Sequence, residues 1–261
     1  MRLVAPPTKF APDDHFEADF HGMRFAGVRS NLVDWFVYFF GSYEPEILML
    51  IADILRARPG PVFFDVGANV GQHTMFASRL ATVHAFEPYE PVRKRLEGHV
   101  RTNAISTVTV HPFGLGSRTQ DVPFYQPGLE NLGAGSFVQG HATTNRDPIP
   151  LHVVRGDEFA RDINRIDLIK IDVEGMEGEV LLGLVETMRR LRPNILFEFS
   201  HTTRKAIPTL EDLRALFPED YELLGVEVRT PRFFFFEKSE YRLRMLRSAH
   251  DAPLMLLARP R

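Results

Sequence analysis

The chain has 261 residues, 44% hydrophobic and 25% charged, which is ample for one α/β core with an appended cap. A formal net charge of −3 offers no basic footprint for nucleic acid, and the absence of cysteine excludes disulfides and thiolate zinc sites. The N-terminal stretch lacks an apolar signal core, and the run from Trp35 to Phe40 is too short to span a bilayer. No transmembrane segment and a cytoplasmic location are therefore expected.

Residues 1–20 carry three prolines and several acids without a period, and read as an extended or poorly ordered lead-in. Residues 21–44, with the aromatic cluster Trp35 to Phe40, read as a small cap packed against the sheet edge; the alternative is a lid over substrate. Pro45 opens a helix over 45–57 whose stripe is Ile47, Leu48, Ile51, Ile54 and Leu55. Val62 to Val66 then reads as a short buried strand, Gly67 to Gly71 as a tight turn, and 72–80 as a helix. A second strand, Val83 to Glu87, leads to a helix opened by Pro88 and Pro91. Thr107 to Pro112 forms a third strand. Residues 114–154 are rich in glycine and asparagine, with two short strands at 122–125 and 151–154 that can pair. Such a long insert is expected to line the substrate side, with Ser136 and Phe137 as contacts. Beyond it come a short helix at Asp157, a central strand over 166–172, and a long helix with its stripe from Val180 to Leu191. A strand over 195–199, a helix over 209–217 and strands over 221–228 and 254–258 complete the chain. Strands alternating with helices argue a doubly wound, mainly parallel sheet with helices on both faces. That gives a lead-in and cap over 1–44 and one α/β domain over 45–261.

Ligands of such sheets sit beyond the carboxyl ends of the strands. Those ends carry Asp65, Glu87, Asp172 and Glu198, with Glu174 and His201 just after. The first turn, Gly-Ala-Asn-Val-Gly, is not the dinucleotide fingerprint, and Asp65 beside it would repel a pyrophosphate but suit an ammonium. Glu87, twenty residues after Gly67, can accept from both hydroxyls of a ribose. Together these features favour S-adenosylmethionine (SAM), which carries an ammonium and a sulfonium. Lys170 stands inside an otherwise apolar strand and needs a partner; it lies two residues before Asp172, so both point to one face, and Glu198 on the neighbouring strand is a candidate partner. Methyl transfer to a hydroxyl needs a base, and Asp172, Glu198 and His201 are candidates. A divalent cation held by Asp172 and Glu198 is a less favoured alternative, because two carboxylates are too few ligands.

The motifs Tyr43-Glu44-Pro45-Glu46, Phe64-Asp65-Val66-Gly67-Ala68-Asn69-Val70-Gly71, Phe86-Glu87-Pro88 and, above all, Ile169-Lys170-Ile171-Asp172-Val173-Glu174-Gly175-Met176-Glu177 closely resemble the FkbM-type SAM-dependent methyltransferases. The resemblance covers roughly residues 43–200 and a closing strand near 254–258. It implies the Rossmann-like class I fold, a seven-stranded sheet with one antiparallel strand, and O-methylation of a small molecule, a sugar or a secondary metabolite. It implies that Asp65, Gly67, Ala68, Asn69 and Gly71 cradle the methionine part of SAM and that Glu87 takes the ribose. Glu44, Asp157 and Asp172 complete the cofactor set it suggests, Asp157 falling where the family often has an aspartate before the fourth strand. Lys170, Asp172, Glu198 and His201 form the catalytic set, and no metal ligand is assigned.

Two rival enzymes fit less well. A nicotinamide-dependent oxidoreductase lacks its third glycine and any Tyr-x-x-x-Lys pair, and a base-modifying methyltransferase lacks an Asn/Asp-Pro-Pro-Tyr loop. A non-catalytic, partner-binding module is the remaining alternative. The run Phe233 to Phe236 reads as burial against a cap or a dimer partner, which leaves room for a homo-oligomer; an apolar substrate or membrane surface is the other use.

Overall fold

The structure, a computed structural model, describes residues 4–128, 135–137, 147–229 and 240–261. The Phe233 to Phe236 run lies outside the described residues. The lead-in is more ordered than expected. Strands β1 (His15–Phe20) and β2 (Met23–Val28) form an antiparallel hairpin. Phe20 faces Met23, so His21-Gly22 is a two-residue turn with both φ angles positive (51° and 81°), as a right-twisted hairpin prefers. The strand exposes His15, Glu17 and Asp19 and turns Phe16 and Phe20 inward.

Helices α1 (Leu32–Phe40) and α2 (Pro45–Arg56) follow, α2 burying Ile47, Leu48, Ile51 and Leu55 as its spacing predicts. Then come β3 (Val62–Val66), α3 (Gln72–Ala77), β4 (Thr82–Phe86), α4 (Glu90–Thr102) and β5 (Val108–His111). The insert contributes β6 (Gly114–Gly116), β7 (Gln120–Phe124) and β8 (Ile149–Arg155), a separate three-stranded sheet in which Val122 faces Leu151. The second half runs α5 (Gly156–Phe159), β9 (Leu168–Ile171), α6 (Glu177–Gly183), α7 (Val185–Leu191), β10 (Asn194–Glu198), α8 (His201–Ala206), α9 (Leu210–Ala215), β11 (Tyr221–Arg229), β12 (Glu240–Met245) and β13 (Met255–Pro260).

The main sheet has the order β12-β11-β13-β10-β9-β3-β4-β5. Strands β10, β9, β3, β4 and β5 are parallel, and β13 runs antiparallel to both β10 and β11. This is the class I methyltransferase arrangement. It has eight strands rather than seven, because β12 adds an antiparallel edge beside β11. Successive residues point to opposite faces. Phe63 packs with Leu50, Ile51 and Leu257 on one face, and Phe64 with Phe86, Ile169, Leu181 and Phe197 on the other. Among the described residues no helix is long and apolar enough to cross a membrane.

The expected long helix after Glu177 is two short ones broken at Leu184. Asp157 supplies the reason: its carboxylate accepts from Glu186 N (3.2 Å) and from Thr187 N and Oγ1 (both 2.8 Å), so it caps the start of α7. The N-terminal hairpin packs on α4 rather than on the sheet edge. His99 Nδ1 donates to Val70 O (2.9 Å) while its Nε2 accepts from Ala26 N (3.1 Å). Asn103 exchanges two bonds with the Arg24 backbone. Asp34, fully buried, accepts from Val28 N (2.9 Å) and from Arg95 (2.7 Å). Burial pushes its carboxyl pKa up, and Arg95 opposes that.

Asp34 thus ties α1, β2 and α4 together. Asp34→Ala should cost about 3 kcal/mol, since it strands the Arg95 charge and the Val28 N–H. Asp34→Asn should lose less. Chemical denaturation measures both, and an Ala variant as stable as the parent would contradict the assignment.

Candidate active site

Main-sheet order reverses between β3 and β9, and a cavity of about 510 Å³ opens at the carboxyl ends there. The first wall is the loop after β3. Gly67, Asn69 and Gly71 all take positive φ (83°, 51° and 89°). A Cβ on Gly67 would lie 1.9 Å from the Asp172 carbonyl oxygen, and one on Gly71 would lie 2.2 Å from Leu96 Cδ1. Gly67 N and Ala68 N both donate to Phe86 O, which holds the loop over the end of β4. There Glu87 accepts from Asn69 N through one carboxylate oxygen and from Tyr89 N through the other (both 2.9 Å). Burial pushes the Glu87 carboxyl up to about 7.

The second wall rises from β9. Lys170 is 1% exposed, and its Nζ donates to Asp172 Oδ2 at 2.9 Å. The candidate partner Glu198 is not the one found: Asp172 lies on the lysine's own strand, two residues on and on the same face. Register also sets Asp65 directly beside Lys170 on β3. Burial pushes the lysine's pKa down, but Asp172, Asp65 and Glu44 together outweigh it and hold the ammonium above its ordinary value. Asp65 accepts from Thr74 Oγ1 (2.6 Å), is fully buried and does not line the cavity. Gly71 does not line it either; it makes room for Leu96.

Glu174 takes a positive φ of 53° and faces the cavity, as do Glu198 and His201. Burial and the neighbouring Asp172 carboxylate raise Glu174 to about 7 and Glu198 to about 8. Beneath them, buried Glu177 accepts from Val173 N (3.2 Å), Gly175 N (3.1 Å) and Thr203 Oγ1 (2.6 Å). One carboxylate thereby braces the Asp172–Glu174 loop and the helix that begins at His201. The third wall is apolar: Phe124, Phe137, Leu151 and Val153 from the insert, and Leu32 and Val33 from α1. Ser136 also lines the cavity and donates to Glu174 O (3.1 Å).

A family model described as the methyltransferase FkbM domain matches residues 65–223. The chain belongs to the FkbM methyltransferase family. It is 28% identical over 148 residues to the hexuronic acid methyltransferase AglP of Haloferax volcanii, covering 56% of this chain and 58% of that one. It is 33% identical over 160 residues to the 31-O-demethyl-FK506 methyltransferase FkbM of Streptomyces tacrolimicus, covering 50% and 62%. The chain thus spans less than two thirds of the length of these relatives. The crystal structure of a methyltransferase FkbM from Methylobacillus flagellatus aligns with a TM-score of 0.48 at 19% identity, over 76% of this chain and 43% of that one.

Of the residues that the FkbM resemblance pointed to, Glu44, Gly67, Ala68, Asn69, Glu87, Lys170, Asp172, Glu198 and His201 line the cavity. Asp157 does not. It opens on a separate polar depression with Arg155 and Glu186, and its oxygens are committed to α7. Sequence reading missed His73 and Tyr43, which also line the cavity. A histidine two residues after Gly71, in the first turn of the helix, was the available signal. Among the described residues no group of three or more His, Asp and Glu side chains is arranged to hold a metal.

Four cavity acids, Glu44, Glu87, Glu174 and Glu198, keep their protons to about pH 7 or 8 when folded, mainly through burial. The unfolded chain loses those protons near pH 4.5, so stability falls as pH rises from about 5 to 8. Histidines 73, 84, 99 and 111 are pushed down by burial, so unfolding takes up protons below about pH 6.5 and stability falls there too. Between about pH 5 and 6.5 the two effects oppose each other, and above that the acids dominate, so the ligand-free Tm should decline from about pH 6.5 to pH 8.5. A Tm rising steadily from pH 6 to 8.5 in a scanning-calorimetry series would contradict this electrostatic picture.

Proposed function

We propose that the protein is a SAM-dependent O-methyltransferase acting on a hydroxyl of a sugar or secondary metabolite. The observation that carries this reading is Glu87. Both of its oxygens are pinned by backbone N–H groups of the two loops flanking the cavity, and each keeps a lone pair for a ribose diol. Family membership, and relatives named for a hexuronic acid and for 31-O-demethyl-FK506, support the rest.

The residues fit the cofactor. Gly67 to Asn69 line the cavity with a turn held at positive φ at Gly67 and Asn69, and the Glu44 and His73 side chains that also line it each carry a buried polar atom without a hydrogen-bond partner. When bound, SAM would supply an electrophilic methyl carbon with a neutral thioether as leaving group. The protein's own work is to orient the acceptor and take its proton. Asp172 is tied to Lys170, which draws on its negative charge. Among the described residues no cation is hydrogen-bonded to Glu198, and burial with the Asp172 charge pushes it to about 8, so once ionised, near pH 8, it is the stronger base. The apolar wall suits the flank of an acceptor, and the carboxylates suit its hydroxyls. His201, the first residue of α8, also lines the cavity and is a second group that can hold the acceptor oxygen.

Calorimetric titration with S-adenosylhomocysteine, with NAD as control, tests the cofactor. Micromolar binding of the first and none of the second is expected; the reverse would make the chain an oxidoreductase. Glu87→Ala should weaken S-adenosylhomocysteine by about 1–3 kcal/mol, because it leaves the diol unpaired. In an assay with tritiated SAM and a panel of hydroxyl compounds, Glu198→Gln should lower turnover by about 10²–10⁴-fold with S-adenosylhomocysteine affinity unchanged. Equal loss of both would make Glu198 a cofactor residue instead.

A further inference from the structure

Helix α1 turns an apolar face to solvent, where a surface helix ordinarily carries charge. Asp34 is its one charged residue, and it points inward to Val28 N and Arg95. Those bonds fix the rotation of the helix. Asp34 and Val37 are buried, and on the other side Leu32, Phe36 and Phe40 recur at four-residue spacing as one stripe. Leu32 is 40% exposed and Phe40 58%, with Phe36 half-buried between them. The aromatics beside the stripe are engaged by the lead-in: Trp35 donates to Ala5 O (2.7 Å), and the Phe39 ring meets that of Phe10. The stripe is also continuous with the cavity. Leu32 and Val33 at the start of α1, and Tyr43 and Glu44 just past its end, all line it. The Phe36 ring lies 5.4 Å from that of Tyr43 and 5.8 Å from that of Phe40. Helix α1 therefore lies along the cavity rim, and Leu32 belongs both to the apolar wall and to the outer surface. From Leu32 to Phe40 the stripe runs about 12 Å at the helical rise. It falls outside residues 65–223, so family membership does not account for it.

We infer that the Leu32, Phe36 and Phe40 stripe holds the apolar tail of an amphiphilic acceptor, whose hydroxyl reaches the carboxylates inside while its tail lies along α1. This rests on the methyltransferase reading above. The two ends of the surface select the occupant. A free sugar would use the polar wall and leave the stripe in water. An anionic membrane would find no basic side chain on α1, and Arg29, just before it, is paired with Asp14 and lies over the Phe10 and Tyr38 rings. A second copy seated on the stripe would also sit at the cavity mouth and bar the acceptor. A molecule with a hydroxyl at one end and a hydrocarbon or ring system at the other uses both parts: the carboxylates meet its hydroxyl, and burial of the tail removes apolar surface of both partners from water.

The test titrates methyl and octyl β-D-glucoside, the latter below its micelle concentration, into protein saturated with S-adenosylhomocysteine. Parent, Phe40→Glu and Phe40→Leu are compared by calorimetry. The octyl compound should bind the parent about 100-fold more tightly than the methyl one, the yield of about four methylenes taken from water at about threefold each. Phe40→Glu should lose about tenfold of that gain and Phe40→Leu should keep it. S-adenosylhomocysteine should bind all three alike, which reports that the variants are folded. Equal binding of the two glucosides, or binding of neither while S-adenosylhomocysteine binds, would overturn the stripe and leave the SAM reading intact. A gain that survives in Phe40→Glu would place the tail elsewhere and overturn it too. Failure of S-adenosylhomocysteine to bind the parent would overturn the SAM reading and the stripe with it. Sedimentation velocity and flotation with phosphatidylcholine vesicles complete the test. A parent dimer, or a vesicle-bound parent, that Phe40→Glu releases would give the face to a second copy or to a lipid surface and overturn the proposal.

Discussion

A lysine ammonium buried in the middle of the central sheet is the constraint around which the cavity is built. Lys170 would be intolerably placed alone, and it is 1% exposed. Asp172 bonds it, Asp65 lies beside it in register, and Glu44 adds its field from the start of α2. The end of β9, the end of β3 and the N-terminus of α2 are therefore fixed relative to one another by a single charge. Three carboxylates around one ammonium leave the cluster negative. Burial first, and then the Asp172 charge, is why Glu44, Glu174 and Glu198 hold their protons well above the ordinary carboxylate range.

Backbone strain gathers at the same place. Six described non-glycine residues have positive φ, and Glu44, Asn69 and Glu174 are three of them, all on the cavity wall. Each such residue costs on the order of 1 kcal/mol or more, and persists only where surrounding bonds over-determine it. Those bonds are visible: Gln72 grips the turn at Glu44, Glu87 grips Asn69, and Glu177 grips both neighbours of Glu174. The site is stiff because its expensive conformations are each clamped by a side chain from another element.

Much of this was legible in the sequence, and the legible part was local. Val62–Val66 was read to the residue because a strand of apolar and aromatic residues ended in a glycine turn. The α2 stripe followed from period alone, and the pairing expected of 122–125 with 151–154 is found two residues earlier, between 120–124 and 149–153. What failed was set by distant partners. The first strand of the hairpin at 15–28 alternates, yet its acids and the prolines before it disguised the strands, and what stabilises it is packing on α1 and α4. The break at Leu184 could not be read from the helix, since the cap comes from Asp157, some thirty residues away. The same carboxylate was assigned to the cofactor, because an acid near a strand start looks alike whether it caps a helix or faces a ligand. The need of Lys170 for a partner and its shared face with Asp172 are legible in the strand's period; that the bond goes to Asp172 rather than to Glu198 is shown only by the structure.

Gly67 has a consequence that reaches beyond its turn. Its α-carbon lies so near the Asp172 carbonyl that one added carbon would sit 1.9 Å from the oxygen. The loop bearing Asn69 and the loop bearing Asp172 and Glu174 thus meet backbone to backbone at Gly67, with the Val173 side chain beside the contact. At that point of contact no rotamer change can absorb a shift, because the nearest atom is backbone. The width of the cavity between its two polar walls is accordingly a backbone dimension, set by a missing methyl group. It would pass unaltered through any substitution of the residues that merely line it.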